Sequence, residues 1–344
     1  MNHSQSSNYT LITIIQYIAS VLIILVHCGR LFQQDALHFF IKSILCRTAV
    51  PFFLITTGYF FYEKSRKFSG YYSQYTRRLL KQYLFWSVIY LPFAVSFLCQ
   101  QNVPFVLFPL ALAGAFSYIG TCYHLWYYPG LFAGLWITRK LSKFKRIFVP
   151  LSLLLLLYSF GALETYSSYI ENTMLNLIYS SYRKLFFTTR NGLFYSPIFV
   201  WLGFILAQNQ HRSIFQKYLN GKLFFSILCF SAEGWVVFQR QGDDKNFFFS
   251  LIPFSLFFLA RILQLKQPVW RQQKFVRFLT QKNFLLHPAF LESIKQVSAM
   301  FFNGKEITGM ELFAATFAVT SFAGLALWKM KSAAYHYPIG GETK

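Results

Sequence analysis

Three side chains suited to acid–base or anion chemistry stand in segments apolar enough to cross a membrane. Arg47 and Glu233 lie well inside such segments, and His27 ends the first of them. A charge in hydrocarbon costs roughly 2.5–3.5 kcal/mol on insertion scales, so such residues are typical of buried ion pairs, wet cavities and functional sites. An imidazole is the usual general base near neutral pH. A guanidinium binds anions and carbonyl oxygens.

Each of the three also has a purely structural explanation. Arg47 would pair with a buried acid, and His27 would cap its helix at the membrane boundary. Glu233 would form an ion pair with Arg47 or with Arg190. In favour of a ligand-facing Arg47, Pro51 lies four residues later and removes the helix hydrogen bond to the Arg47 carbonyl. The charge and a freed carbonyl are therefore expected in one kinked turn.

A second set of residues offers donors and imidazoles for binding a substrate. Each has an alternative as a boundary anchor, an interfacial residue or part of a helix entry, and the sequence leaves both explanations open. The set is Arg30, which shares a helical face with His27, His124, Arg190, Asn191 and His287. We expect His287 to lie nearer the cytoplasmic face than the others. Asp243 and Asp244 are expected to be solvated in a short outer loop.

Composition indicates an integral membrane protein. The 344 residues are 55% hydrophobic and only 13% charged, against about 25% charged residues in soluble domains. The net charge of +22 is therefore not a nucleic-acid signal. The five cysteines show neither paired spacing nor metal-ligand spacing, so we predict no disulfide framework and no metal site.

Hydropathy and charge predict an all-α, polytopic bundle of about ten transmembrane helices. A span needs about 20 apolar residues. The candidates are 10–29, 39–61, 79–99, 123–138, 147–163, 191–208, 222–239, 246–264, 283–302 and 309–328. Residues 11–28 are expected to be a retained first span and not a cleaved signal peptide. Most of the 33 lysines and arginines fall in loops that lie on one side of the membrane, provided that the further apolar segment 103–121 does not cross the membrane.

This arrangement places both termini in the cytoplasm and the chain in a bacterial plasma membrane. Residues 1–331 are predicted to form one transmembrane domain, and residues 332–344 a short cytoplasmic tail. Membrane lipid is an expected partner, since basic cytoplasmic loops attract anionic head groups.

Several short segments, in order along the chain, resemble the acyltransferase-3 superfamily of membrane proteins. They are 18–27 (IASVLIILVH), 47–58 (RTAVPFFLITTG), 77–81 (RRLLK) followed by Trp86, 124–127 (HLWY) and 286–288 (LHP). Within that superfamily, 190–199 (RNGLFYSPIF), 47–53 and the Glu233–Gly234 pair are most similar to the membrane half of vancomycin-resistance serine racemases. In those proteins a pyridoxal-phosphate racemase domain follows, and we expect no racemisation by this chain alone.

The resemblance implies an O-acyltransferase, most often an O-acetyltransferase. It would move an acyl group from cytoplasmic acyl-CoA, a co-substrate and not a tightly bound cofactor, to a hydroxyl of a cell-envelope glycan or teichoic-acid-like acceptor. In that scheme His27 is the general base and Arg47 binds the donor or stabilises the oxyanion. Glu233 orients His27 or pairs with Arg47. The basic loops meet the CoA phosphates.

The sequence departs from the family at Gln16, where an arginine is usual, and at Thr57 in place of a serine. The change at Gln16 favours two alternatives without acyl transfer. One is uptake of a small amino acid such as serine, with Arg47 and Glu233 binding the zwitterion. The other is a non-catalytic partner module for a separate racemase or polysaccharide-assembly protein.

Overall fold

The computed structural model describes residues 9–301, 304 and 306–336, with only the backbone of 334–336. The polar residues 1–8 and residues 337–344 of the predicted tail lie outside this part. The described chain is helical and contains no strand, which confirms the all-α prediction. The helices are α1 (Thr10–Val26), α2 (Asp35–Phe39), α3 (Ala49–Lys67), α4 (Tyr71–Ile89), α5 (Leu91–Gln100), α6 (Phe108–Tyr118), α7 (Tyr127–Leu141), α8 (Phe148–Ala162), α9 (Met174–Phe186), α10 (Ser196–Asn209), α11 (Leu219–Gln239), α12 (Leu251–Gln264), α13 (Gln273–Phe301) and α14 (Gly309–His336).

The chain divides into two compact units. The first unit comprises residues 1–49 and 265–344, and the second comprises residues 50–264. The predicted boundary between a transmembrane domain and a tail at residue 331 stays a prediction, although α14 continues as a helix to His336.

The first unit is built on two helices that run in the same direction. Polar bonds join α1 to α13 in register, from Gln273 Nε2 to Thr10 Oγ1 (2.6 Å) and from Arg277 Nε to Thr13 Oγ1 (3.1 Å). Further along, the Asn283 side-chain amide donates to Ser20 Oγ (3.1 Å). Helices α1 and α13 are therefore parallel, and residues later in α1 contact residues later in α13.

Helix α14 packs on α13 and runs in the opposite sense to α1. Its first residue, Gly309, donates its N–H to the Cys28 carbonyl just beyond the end of α1 (2.6 Å). A buried apolar cluster holds this end of the unit together. Its members are Ile24, Leu25, Cys28, Leu31, Cys46, Leu291 and Leu312.

The second unit is organised around α10, whose residues are buried along most of its length. Helices α7, α8 and α12 pack on it. It also crosses α3 closely, because glycines face each other: a Cβ on Gly58 would lie 2.2 Å from the Val200 carbonyl oxygen, and one on Gly203 would lie 2.1 Å from that of Ile55. Small residues at a crossing are typical of helix packing in membranes.

Fewer helices are long enough to cross a membrane than the ten predicted spans require. In the described residues, three helical segments are long and apolar enough to cross a membrane by length and composition: Asp35–Lys67, Leu219–Gln239 and Gly309–Ala333. A fourth arises if α4 and α5, bent by 53° at Tyr90, count as one. The predicted count of ten is therefore not met on these criteria.

The difference has a physical reason, because hydropathy detects apolar stretches whether or not they are helical throughout. The predicted spans at 147–163, 191–208 and 246–264 contain helices of 15, 14 and 14 residues. At 1.5 Å per residue these are about 21–23 Å long, against about 30 Å of hydrocarbon. The segment 103–121 contains a short turn and the 11-residue α6, which together form one apolar helix from Phe105 to Tyr118. This helix is as long as α10 and α12, so the expectation that the segment does not cross stays a prediction.

Candidate functional site

Two histidines of the first unit, His27 and His287, face each other. His27 follows the last residue of α1 and closes that helix with its own N–H on the Ile24 carbonyl (3.1 Å). Its ring stacks on the ring of His287, with centroids 5.6 Å apart and planes 24° from parallel. His27 is half-buried and His287 is completely buried. The matched register of α1 and α13 brings these two side chains together.

The hydrogen bonds of His287 fix which ring nitrogen carries its proton. Nδ1 lies 2.8 Å from the Asn283 carbonyl oxygen and 3.0 Å from that of Phe284. Carbonyl oxygens only accept, so Nδ1 donates and Nε2 of the neutral ring carries the lone pair. Asn283 also donates to Ser20, which ties the His287 turn to α1. The His287 ring is therefore held in one tautomer beside His27.

The predicted depth of His287 is wrong. Sequence analysis placed it near the cytoplasmic start of a span at 283–302, apart from His27. The helix begins instead at Gln273, so His287 lies about 21 Å along it at 1.5 Å per residue. The polar residues 273–282 extend the helix below its apolar part, and a hydropathy window does not register them.

Arg47 lies beside α1 in an irregular part of the chain. A π-helical turn, Phe40–Leu45, and a 3₁₀ turn, Cys46–Thr48, precede α3, and both contact α1. π turns are frequent at functional sites. Arg47 is half-buried. Its neighbour Cys46 shares a buried cluster with Cys28, the neighbour of His27, so one core supports both segments.

The remaining cations of this region are engaged with the backbone. Arg30, predicted to bind substrate, donates to the carbonyls of Phe32 (3.1 Å) and Gln33 (2.6 Å) and pairs with Asp35 (2.5 Å). Lys42 donates to the Gly29 carbonyl (2.7 Å). Arg30 thus holds the loop after His27 in place, and its predicted role toward substrate stays a prediction.

Glu233, in the second unit, accepts hydrogen bonds at both carboxylate oxygens. Oε1 accepts from the Tyr166 hydroxyl and the Phe249 N–H (2.6 Å). Oε2 accepts from the Ser250 N–H (2.8 Å) and the Ser250 hydroxyl. These bonds fix the residues just before α12. Sequence analysis sought a cationic partner for Glu233 and overlooked the backbone N–H groups ahead of the next helix.

Arg190 and Asn191 belong to a polar cluster in the second unit. The Arg190 guanidinium lies over the Trp126 ring, 5.5 Å from its centroid, and 3.8 Å from Asp244 Oδ2. Asp244, and not Glu233, is therefore the acid beside Arg190. Asn191 Nδ2 donates to the hydroxyl of Tyr118 (2.5 Å).

The two outer-loop acids, predicted to be simply solvated, both have protein partners; Asp243 is exposed as well, and Asp244 is partly buried. Asp243 accepts from the Tyr179 hydroxyl (2.8 Å) and pairs with Arg183 (2.6 Å). Asp244 accepts from the Lys245 N–H (2.7 Å) and from Asn246. Both carboxylates therefore have defined partners in the second unit.

Glu164 is a buried carboxyl that sequence analysis missed. Its Oε2 accepts from Thr188 Oγ1 (3.0 Å), Thr189 N–H (2.8 Å) and Thr189 Oγ1 (2.5 Å). Burial raises the pKa of this carboxyl above its ordinary value, and the bonds from Thr189 oppose the rise. The available signal was an acid directly after an apolar segment, with two threonines preceding Arg190.

His124 is buried in the second unit among aromatic rings. Its ring meets that of Tyr90 edge to face at 4.8 Å and lies 6.0 Å from that of Tyr123. It therefore belongs to a different unit from His27 and His287. No group of three or more potential metal ligands occurs in the described part of the chain.

The comparisons with known proteins agree on one protein family. The model of the "Acyltransferase domain" family matches residues 10–328. The chain is 28% identical over 284 residues to a serine/alanine racemase of Enterococcus gallinarum, covering 79% of this chain and 39% of the racemase. Two amino-acid racemases of Enterococcus faecalis are each 26% identical, over 251 and 297 residues.

Those two alignments cover 71% and 83% of this chain and 34% and 42% of the racemases. The chain thus spans about two fifths of the length of the curated relatives it matches. No solved structure matches it. Both levels of the predicted resemblance, the superfamily and its racemase-associated members, are confirmed.

Proposed function

Because the chain belongs to this family of acyltransferase domains, we propose that it transfers an acetyl group from cytoplasmic acetyl-CoA to a hydroxyl of a cell-envelope acceptor. Family membership supports the predicted enzyme class, an acyltransferase for groups other than aminoacyl groups. The donor, the acetyl group and the glycan or teichoic-acid-like acceptor are the proposed part. Acetyl-CoA acts here as a co-substrate, and no tightly bound cofactor is proposed.

The observation that carries the proposal is the stacked pair of His27 and His287. Deprotonation of an acceptor hydroxyl needs a base whose lone pair is available near neutral pH. His27 is half-buried and therefore reachable, whereas His287 is locked by backbone carbonyls. The pair thus supports His27 as the general base, with His287 as the residue that positions its ring.

In the proposed reaction His27 accepts the proton of the acceptor hydroxyl while the oxygen attacks the thioester carbonyl carbon. The tetrahedral oxyanion collapses, the carbon–sulfur bond breaks, and the leaving CoA thiolate takes the proton held by His27, which restores the neutral base. Arg47, in the turn packed on α1, is proposed to stabilise the oxyanion. Loss of one such donor typically costs 10²–10³-fold in rate.

Glu233 has a structural role in this scheme. Donors of its own unit engage both of its oxygens, which favours anchoring of α12 over orienting His27. The CoA phosphates are proposed to bind a groove of about 540 Å³ in the second unit. Three cations line it, Arg77, Arg78 and Lys81, and phosphate oxygens form strong charge-assisted hydrogen bonds with such groups.

The proposed topology keeps the ten spans, both termini in the cytoplasm and the bacterial plasma membrane. Helices of 14–15 residues would cross with the help of flanking loops buried in protein, where irregular backbone is tolerated at membrane depth. The basic segments 63–82 and 139–146 support a cytoplasmic location for the groove.

The experiment uses the purified chain in lipid nanodiscs with acetyl-CoA labelled in its acetyl group. Envelope glycan and teichoic-acid fractions serve as acceptors. The proposal predicts label in an acceptor fraction with equimolar CoA release, and its loss in Arg47→Gln. Intact protein that labels no fraction would contradict it.

One observation favours a second candidate, uptake of a small amino acid such as serine. Arg190 and Asp244 stand 3.8 Å apart and half-buried beside Trp126, an arrangement that matches the opposite charges of a zwitterion. The relatives' names refer to serine, alanine and amino-acid racemases. Proteoliposome uptake of labelled serine without CoA, abolished in Arg190→Gln, would favour it. Absence of uptake would leave only the partner module as a rival to the enzyme.

A further inference from the structure

Helix α9, in the segment between α8 and α10, has three chemically distinct faces. Its 13 residues form the most amphipathic helix of the second unit, and Thr173 caps its start by accepting from the Asn176 N–H (3.3 Å). Successive residues turn by about 100°, which sorts the side chains into a protein-facing side, a polar side and an apolar side.

The protein-facing side fixes the helix on the second unit. The Tyr179 hydroxyl donates to Asp243 (2.8 Å), and Arg183 pairs with the same carboxylate (2.6 Å). The Tyr182 hydroxyl accepts from Asn191 Nδ2 (3.3 Å). Tyr179 is buried. The orientation of α9 about its own axis is therefore set by these bonds.

The other two sides lie about half a turn apart. Asn176, Ser180 and Lys184 form a polar strip. On the opposite side Met174, Ile178 and Leu185 are 71%, 47% and 75% exposed. Leu177, 60% exposed, borders the apolar side, and Phe187, just past the helix, is 76% exposed. The exposed Ser181 interrupts the apolar side between Ile178 and Leu185.

An exposed, mostly apolar helix side of this kind marks an interaction surface. Both ends of the segment connect to apolar helices, α8 at Ala162 and α10 at Ser196, so the segment starts and finishes at the membrane. A helix with one apolar side, one polar side and a lysine at their border is typical of a helix lying in the membrane–water interface.

We propose that α9 lies in the plane of the membrane on its extracytoplasmic surface. Met174, Ile178 and Leu185 enter the acyl chains, and Asn176 and Ser180 face water. Lys184, adjacent to Leu177 around the helix, extends its ammonium to lipid phosphates. The side of the membrane and the position of α9 beside it rest on the proposed topology, whereas the choice of the side that inserts rests on the geometry of α9.

Spin labelling of the full-length protein in nanodiscs of phosphatidylethanolamine and phosphatidylglycerol tests the proposal. Nitroxides are attached to Met174→Cys, Ile178→Cys and Leu185→Cys, and as matched controls to Asn176→Cys, Ser180→Cys and Lys184→Cys. Cys99 and Cys229, the two cysteines that are not buried, are replaced by serine in all variants. The measured quantity is the ratio of oxygen to nickel-chelate accessibility.

The proposal predicts a several-fold higher ratio in the first set than in the second, with helical periodicity. Equal nickel accessibility in both sets would overturn it, and so would exclusion of both reagents from the first set, which would indicate a protein partner or a second copy. A membrane-impermeant maleimide should label Ser180→Cys in intact cells; labelling only after permeabilisation would overturn the assigned side. None of these measurements depends on acyl transfer, so a failure of the proposed function would not change their outcome.

Discussion

The stacked imidazoles of His27 and His287 show how backbone hydrogen bonds and ring stacking can fix the orientation of a polar side chain. The proton on His287 Nδ1 is committed to two backbone carbonyls, which leaves its Nε2 as an acceptor beside the His27 ring. The stack in turn restrains the orientation of the His27 ring. In the proposed reaction His287 is therefore a positioning residue, and His27 is the base that meets substrate.

Replacement of His287 by phenylalanine separates shape from chemistry. The phenyl ring keeps the stack and most of the volume but has no N–H to hold it on the Asn283 and Phe284 carbonyls. We expect His287→Phe to insert and purify normally, to lose about tenfold or more in acyl-transfer rate, and to show a shifted pH–rate profile. His211→Phe, a change at an exposed histidine, is the matched control. An unchanged rate and an unchanged profile in His287→Phe would remove His287 from the mechanism.

The buried carboxyl of Glu164 gives a prediction for stability against pH. Because its folded-state pKa is raised by burial, the protonated form favours folding, and this contribution is lost as the pH rises from the ordinary value near 4.5 through the raised value. All three donors meet one oxygen, so a glutamine oxygen replaces it. We expect Glu164→Gln to gain melting temperature relative to wild type as the pH rises through this window.

Thermal unfolding in detergent at several pH values measures this difference. Glu164→Ala loses the acceptor as well and should be destabilised by about 1–3 kcal/mol at neutral pH. Glu171→Gln, at an exposed ion pair with Arg240, is the control with little change. A difference between Glu164→Gln and wild type that stays constant with pH would contradict the assigned titration.

Sequence reasoning identified the chemistry of single residues better than their partners. His27 and Arg47 stand out because charge and imidazole are rare in apolar segments. Their neighbours depend on helix register, and the true start of α13 at Gln273 carries no hydropathy signal. The sequence suggests cationic partners for Glu233, because a search among charged side chains does not include the backbone N–H groups of Phe249 and Ser250.

At the scale of elements, the crossing of α3 and α10 depends on two glycines. A methyl group on Gly203 would lie 2.1 Å from the Ile55 carbonyl oxygen, far inside van der Waals contact. The helices would have to separate along a buried interface. The pattern of apolar residues predicted both helices, but the contact between them required knowing which small residues face each other.

Gly203→Ala is therefore expected to destabilise the protein by about 1–3 kcal/mol, the usual cost of overpacking. The measurement is the melting temperature in detergent or nanodiscs. Gly221→Ala is the matched control, since a Cβ there meets nothing within 4 Å and alanine favours helix. Equal melting temperatures in the two variants would contradict the close crossing.

At the scale of the whole molecule, the charge of the loops and the lengths of the helices give different pictures of the membrane topology. Basic residues in alternate loops predict ten crossings, whereas only three or four described helical segments satisfy length and composition by themselves. The proposed topology requires the short helices to cross as well. Whether the segment 103–121 crosses the membrane determines on which side of the membrane every later loop lies.

Single cysteines test that arrangement in intact cells, with Cys99 and Cys229 replaced by serine. If 103–121 does not cross, a membrane-impermeant maleimide labels Gln101→Cys and Glu171→Cys from outside. Lys143→Cys, in the loop between α7 and α8, should react only after permeabilisation. All three positions are exposed in the structure. Labelling of Lys143→Cys from outside would overturn the topology and the cytoplasmic position of the basic groove.

The central claim is that His27 acts as a base toward an acceptor hydroxyl. The most direct measurement is the rate of acceptor-dependent CoA release from acetyl-CoA by nanodisc-embedded wild type and His27→Ala. A general base contributes typically 10²–10⁴-fold, so we predict a loss of that size in His27→Ala, with unchanged melting temperature and insertion. Wild-type turnover in folded His27→Ala would contradict the claim and with it the assignment of the histidine pair.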